Sequence, residues 1–158
     1  MTREAEVGVE VDVQRESAGP APDNSALARW VRAALAGRRE AAAVSVRIVD
    51  AEEGRALNAQ WRGRDAPTNV LSFPAELPEE LGIPLLGDLV LCTPVVRREA
   101  AEQGKAEADH WAHLVVHGVL HLLGMDHQHD AEAEAMEAAE REVLAGLGIA
   151  DPYAGEDR

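Results

Sequence analysis

Cysteine is nearly missing from this sequence, with Cys92 the single one. It can close no internal disulfide, and its place after the apolar run Leu89-Val90-Leu91 reads as a buried structural thiol in a reducing compartment. No stretch of eighteen apolar residues occurs, so no membrane-spanning helix is expected. The first residues, Met1-Thr2-Arg3-Glu4-Ala5-Glu6, lack the composition of a signal peptide. A cytoplasmic protein with no membrane partner is the expectation. No repeat is apparent either, and 158 residues make one domain by size, spanning 1–158, with ends 1–5 and 151–158 expected to be flexible.

Positive charge is also scarce. The formal net charge is −14, which argues against non-specific nucleic-acid binding through a broad basic surface. The scarcity is uneven: residues 1–98 carry 12 Lys/Arg against 15 Asp/Glu, residues 99–158 only 3 against 14. Between residues 29 and 64 the balance reverses, with eight arginines (Arg29, Arg32, Arg38, Arg39, Arg47, Arg55, Arg62, Arg64) and four acids. A phosphate-bearing partner could be met there while the acidic C-terminal part stays in water. The plainer account is that these arginines are ordinary solvated faces.

What is plentiful is apolar surface, at 46% of residues, enough for a sizeable core. Glu6 to Val13 alternates polar and Val, the period of a half-buried strand. A Gly/Pro-containing loop then ends at Asp23-Asn24-Ser25, a helix start, and Leu27, Trp30, Val31, Ala34 and Leu35 follow helical spacing up to Gly37. Val44 to Val49 alternates again, and Ala51 to Gln60 reads as a short helix. Val70 to Phe73 is a short strand ended by Pro74, Pro78 to Pro84 a loop, and Leu86 to Cys92 an interior strand with Asp88 as its one charge, placed at the sheet edge. Thr93-Pro94 supplies a cap and a first-turn proline for a helix to about Gln103, which Gly104 breaks. A helix from Glu107 to Leu123 follows, apolar nearly all round from Leu114 onward and therefore buried. Asp130 caps a last helix to Gly146, with Ala131, Ala135, Met136, Val143 and Leu144 toward one side and its seven charges toward the other. Strands come early and helices late. The fold class expected is α+β, a small mixed sheet packed with about five helices, one of them central, buried and metal-binding.

The metal reading comes from His117-Gly118-Val119-Leu120-His121-Leu122-Leu123-Gly124-Met125-Asp126-His127. His117 and His121 fall one helical turn apart on one face. Gly124 can take the left-handed conformation that ends the helix, so that the chain doubles back and His127 reaches the same ion. Three neutral imidazoles favour Zn²⁺, one ion per chain, with a fourth position open. A histidine pair on an apolar helix is by itself more often packing; the added glycine and third histidine shift the balance to a metal site. His113 reads as packing or as a support for a ligand, and His110 and His129 as solvated.

Together with Arg62-Gly63-Arg64-Asp65-x-Pro67-Thr68-Asn69-Val70-Leu71-Ser72-Phe73-Pro74 and Leu86-Gly87-Asp88, this motif closely resembles the YbeY family, from residue 6 to about 147. These are metal-dependent endoribonucleases implicated in 3′-end maturation of small-subunit ribosomal RNA and in ribosome quality control. The resemblance implies that His117, His121 and His127 bind zinc and that Arg62 is the functional arginine of an RNA-facing cleft. It also implies a sheet of about four strands with Thr68 to Phe73 close to the metal. The partners it implies are ribosomal RNA and the small subunit, with ribosomal proteins or assembly GTPases among proteins.

The same histidine spacing occurs in metzincin proteases, where a glutamate general base follows the first histidine. Here that residue is Gly118, so peptide hydrolysis ranks below phosphodiester cleavage. For the latter, Arg62 can pair bidentately with the scissile phosphate. Asp126 could orient His127 or shape the turn. A non-catalytic RNA-binding assembly factor with a structural zinc is the alternative from another class.

Overall fold

The computed structural model describes residues 9–75, 85–125 and 129–152. The loop expected from Pro78 to Pro84 lies outside the described residues, as do residues 1–5 and 153–158 of the two ends. In chain order the elements are β1 (Val9–Arg15), α1 (Asn24–Leu35), β2 (Ala42–Val49), α2 (Ala51–Arg62), β3 (Val70–Pro74), β4 (Leu85–Cys92), α3 (Thr93–Gln103), α4 (Glu107–Leu122) and α5 (Asp130–Gly146). The fold is α+β, as the order of hydrophobic periods implied.

The strands make one mixed sheet in the order β1-β2-β4-β3. β1, β2 and β4 run parallel, and β3 closes the edge antiparallel to β4. The near-continuous apolar run of β4 explains its interior place, because a strand between two neighbours and under helices has little use for polar residues. Asp88 is therefore not at the sheet edge. It lies mid-sheet between Ser45 and Phe73, on an exposed patch of the surface. Pro74 is tolerated in β3 because an edge strand has one side free of ladder bonds.

One face of the sheet carries the main core. Val44, Val46, Ile48, Leu89 and Leu91 meet Leu27, Trp30 and Val31 of α1 and Trp111, Val115 and Val119 of α4, all buried. The opposite face holds a smaller cluster, Val49, Leu71, Val90, Cys92 and Val95, with Leu57 of α2 and Phe73 packed on it. Burial there pushes the Cys92 thiol up from its ordinary value, consistent with a structural cysteine. On the same face Arg47 of β2 pairs with Glu16 at 2.7 Å and with Glu53 of α2. It is thereby removed from any free arginine patch.

Two contacts set how closely layers approach. α4 meets the sheet at Gly118, where an added Cβ would lie 2.7 Å from Leu89 Cδ2 and 3.3 Å from Ser72 Oγ. Ser72 Oγ donates to the Gly118 carbonyl at 3.4 Å. In β4, Gly87 has φ +152°, and a Cβ there would sit 2.5 Å from the Phe73 carbonyl oxygen and 2.8 Å from Leu122 Cδ2. Both glycines let α4 and β3 close on β4.

Local signals were mostly sound. Asp23 caps α1, its Oδ1 accepting from Ala26 N at 2.8 Å. Two caps differ from expectation. Thr93 is the first helical residue of α3, with Cys92 at the cap, and Asp130 lies inside the first turn of α5, with His129 at the cap. There, with Glu132, it faces the positive end of the helix dipole instead of closing it. No helix among the described residues is long and apolar enough to cross a membrane.

Candidate metal centre and phosphate cleft

The buried face of α4 presses Val115, Val116, Val119 and Leu120 into the core, and a histidine stripe runs along its other flank. His110, His113, His117 and His121 follow at offsets of three and four, so successive rings stand about a turn apart. The ring centroids of His117 and His121 are 6.4 Å apart, and those of His113 and His117 are 6.5 Å apart. Gly124 has φ +101°, the left-handed conformation expected to end the helix. His127 and Asp126 lie outside the described residues.

What holds the stripe is a carboxylate from another helix. Glu140 of α5 is fully buried, and its two oxygens take one imidazole each. His117 Nδ1–H donates to Oε2 at 2.6 Å, and His113 Nε2–H donates to Oε1 at 2.8 Å. A buried carboxylate is costly unless its lone pairs are met, and here they are met by ring N–H groups. The tautomer of His117 follows. With the proton on Nδ1, its Nε2 keeps the lone pair that a metal ligand needs.

The chemistry of His117 and His121 is therefore what zinc binding would need. His117 is half-buried with its orientation fixed, and His121 is one turn along on the same flank. Among the described residues no three His, Cys, Asp or Glu side chains gather into a metal-sized group.

A second carboxylate anchors the start of the stripe. His110 Nε2 bonds Glu99 Oε1 of α3 at 2.9 Å, and Asn69 Nδ2 donates to the same oxygen at 3.0 Å. His110 is thus buried, not solvated as its position near the helix start suggested. His129 is exposed, as expected. The His110 hydrogen bond, helped by Asn69, holds the Glu99 carboxyl below its usual 4.5 against the opposing effect of burial. A carboxyl lowered in the fold stabilises it at pH values above the unfolded-state pKa, and that contribution fades as pH falls through the lowered value. Glu99→Gln is accordingly expected to lose about 1 kcal/mol at pH 7. The deficit should shrink steadily below pH 4.5. Urea unfolding of both proteins across pH 3–7 checks this, and a pH-independent gap would show that the charge on Glu99 is immaterial.

Asn69 ties this network to β3. Its side-chain oxygen accepts from Val70 N at 2.6 Å, and its carbonyl accepts from Cys92 N at 3.0 Å. Beside it opens a cleft of about 320 Å³ lined by Arg62, Thr68, Asn69, Val70, His113, Leu114 and His117. Arg62, the last residue of α2, reaches it because Gly63 at φ 72° ends that helix in the left-handed conformation. The structure thus brings Arg62 and His117 to one cleft, with Thr68, Asn69 and Val70 lining it beside them. Of the arginines close by, Arg55 is turned toward Asp65 at 3.5 Å.

Gly118 also bears on peptide hydrolysis. An added Cβ would lie 2.7 Å from Leu89 Cδ2, so a glutamate base at this position would require Leu89 to shift. The sequence reading did not find Glu140, Glu99 or Asn69 as site residues. For Glu140 a signal existed: it is four residues from both Met136 and Leu144, in the middle of the buried stripe of α5. Grouping it with the seven charges of the outward side was wrong.

A protein-family model described as endoribonuclease YbeY matches residues 12–148. An endoribonuclease YbeY from Alkalilimnicola ehrlichii is 68% identical over 136 residues, covering 84% of this chain and 82% of that protein. One from Stutzerimonas stutzeri is 60% identical over 147 residues, covering 92% of each. Among solved structures, a Thermotoga maritima protein determined in solution superimposes with a TM-score of 0.58 at 24% identity, over 94% of this chain and 99% of that one, a likeness of fold.

Proposed function

The chain belongs to the YbeY family of endoribonucleases, and from that membership we propose that it is a zinc-dependent, single-strand-specific endoribonuclease. Its substrate on this reading is small-subunit ribosomal RNA, cut in 3′-end maturation and in ribosome quality control in the cytoplasm. Ribosomal proteins or assembly GTPases are its protein partners.

The observation that carries the proposal is the shared cleft. Arg62 and His117 line it together, and the bond from His117 Nδ1 to Glu140 sets the ring tautomer in which Nε2 can bind a metal. His117, His121 and His127 would hold one Zn²⁺, which when bound supplies Lewis acidity at a phosphoryl oxygen and acidifies water. The chain's own residues supply the rest. Arg62 offers a planar pair of donors to the phosphate and counters charge that grows in the transition state. Asn69, fixed by hydrogen bonds to Glu99 and Val70 N, holds the start of β3 in place beside the cleft.

Arg62→Glu is expected to lower kcat on single-stranded RNA about 10²–10³-fold with zinc content unchanged. His117→Ala or His121→Ala should lose zinc outright. Full metal content in the histidine variants would remove the ligand assignment, and full cleavage in Arg62→Glu would remove the phosphate clamp.

A further inference from the structure

Trp61 is 60% exposed, whereas Trp30 is 3% and Trp111 1% exposed. It is the only strongly exposed large apolar side chain among the described residues, Leu85 following at 38%. Its exposure is not looseness. Its ring meets Phe73 of β3 edge-on, centroids 5.7 Å apart and planes at 68°. Phe73 is itself fixed by its register with Asp88 and by packing on the smaller core. One indole surface is braced and the remainder stands open to water.

Its neighbours decide what could cover it. Trp61 precedes Arg62, and successive helical residues point about 100° apart, so one lines the cleft while the other faces outward beside it. Arg62 and Arg64 follow Trp61 in a chain of net charge −14, while Arg55 of the same helix is turned toward Asp65. A braced aromatic face next in sequence to an arginine that lines a cleft is a combination that binds single-stranded nucleic acid. Stacking takes the base and the cations take the backbone. Val70 lines the cleft on the α4 side of the edge strand β3, and Phe73, three residues on and so on the opposite face, carries the indole on the α2 side; an RNA strand held at Arg62 reaches the indole by rounding the β3 edge.

Resting on the endoribonuclease reading above, we infer that Trp61 is a stacking platform for an unpaired base flanking the phosphate held by Arg62, and so sets the preference for single-stranded RNA. Trp61 stands outside the reacting centre and acts by placing the strand.

The test uses the purified full-length protein and an oligoadenylate of about ten nucleotides, a length within the range such sites cover. Adding the oligomer should quench the exposed indole's emission, and Trp61→Phe, which keeps a smaller stacking face, should raise KM less than Trp61→Leu does. Trp61→Leu, apolar but unable to stack, should raise KM about 5- to 150-fold with kcat within about two-fold. Far-UV circular dichroism of each variant is expected to match the parent, since the side chain is exposed. A Trp61→Leu protein with parental KM would assign the indole to a protein contact and overturn the inference while the endoribonuclease reading stands. Parent protein that neither cleaves the oligomer nor is quenched by it overturns both.

Discussion

Replacing Glu140 by Gln is expected to weaken zinc binding about 10- to 100-fold, although residue 140 touches no metal. The reason is proton placement. A carboxylate accepts from both His113 Nε2 and His117 Nδ1. An amide has one accepting oxygen and one NH₂, so it can satisfy only one of the two rings as they stand. If the NH₂ faces His117, that ring must turn its Nδ1 into an acceptor and move its proton to Nε2, the atom the metal needs. If it faces His113, that ring must change tautomer or break away, and the buried pair is left strained. Either way the metal-free protein loses about 1–3 kcal/mol, because a buried hydrogen bond to a charged group is lost. Zinc competition against a chromophoric chelator, with urea unfolding of the metal-free protein, measures the two effects separately. Glu140→Gln with parental zinc affinity would mean that the tautomer of His117 is set elsewhere.

Gly87→Ala is expected to be the most damaging substitution outside the centre. Its φ of +152° is one that a residue with a Cβ rarely adopts, at a cost of about 1–3 kcal/mol. The new methyl would also lie 2.5 Å from the Phe73 carbonyl oxygen and 3.0 Å from Pro74 Cα, both backbone, and backbone paired in the β3–β4 register cannot step aside cheaply. Overpacking adds about 1–3 kcal/mol more. The sum corresponds to a fall in Tm of about 5–20 °C for a chain of this size. Activity should fall further than stability, because the strand displaced is the wall of the cleft. Asp88→Asn, exposed in the same strand, serves as the control and should move Tm by less than about 2 °C. A Gly87→Ala protein melting with the control would show that β3 and β4 do not meet as closely as described.

The elements were legible because hydrophobic period is local. Leu27, Trp30, Val31, Ala34 and Leu35 could only share a face on a helix, and the apolar run of β4 could only be interior. The histidine stripe was legible for the same reason, as spacing on one helix. What escaped was everything that depends on which element lies beside which. Glu140 and His117 are 23 residues apart and on different helices, and no period along either one announces the bond. His110 looked like a solvated first-turn residue because Glu99, its partner, belongs to α3. Asp88 was put at an edge because charge in an apolar strand suggests exposure, but an interior strand has exposed positions too where the covering helices leave a gap. Thr93 and Asp130 were each one position inside their helices, an offset that capping chemistry alone does not fix.

The strand order has a bearing on synthesis. β3 has a single neighbour, β4, which is made after it and slots between it and β2. A chain emerging from its N-terminus can pair β1 with β2 over α1, but until Cys92 has emerged the Arg62 and Asn69 wall of the cleft has nothing to hold it. The helix that carries His117 comes later still, and the Glu140 that fixes its proton comes last. The cleft residues and the carboxylate behind them therefore come from separate stretches of the chain and can meet only after α5 has been made.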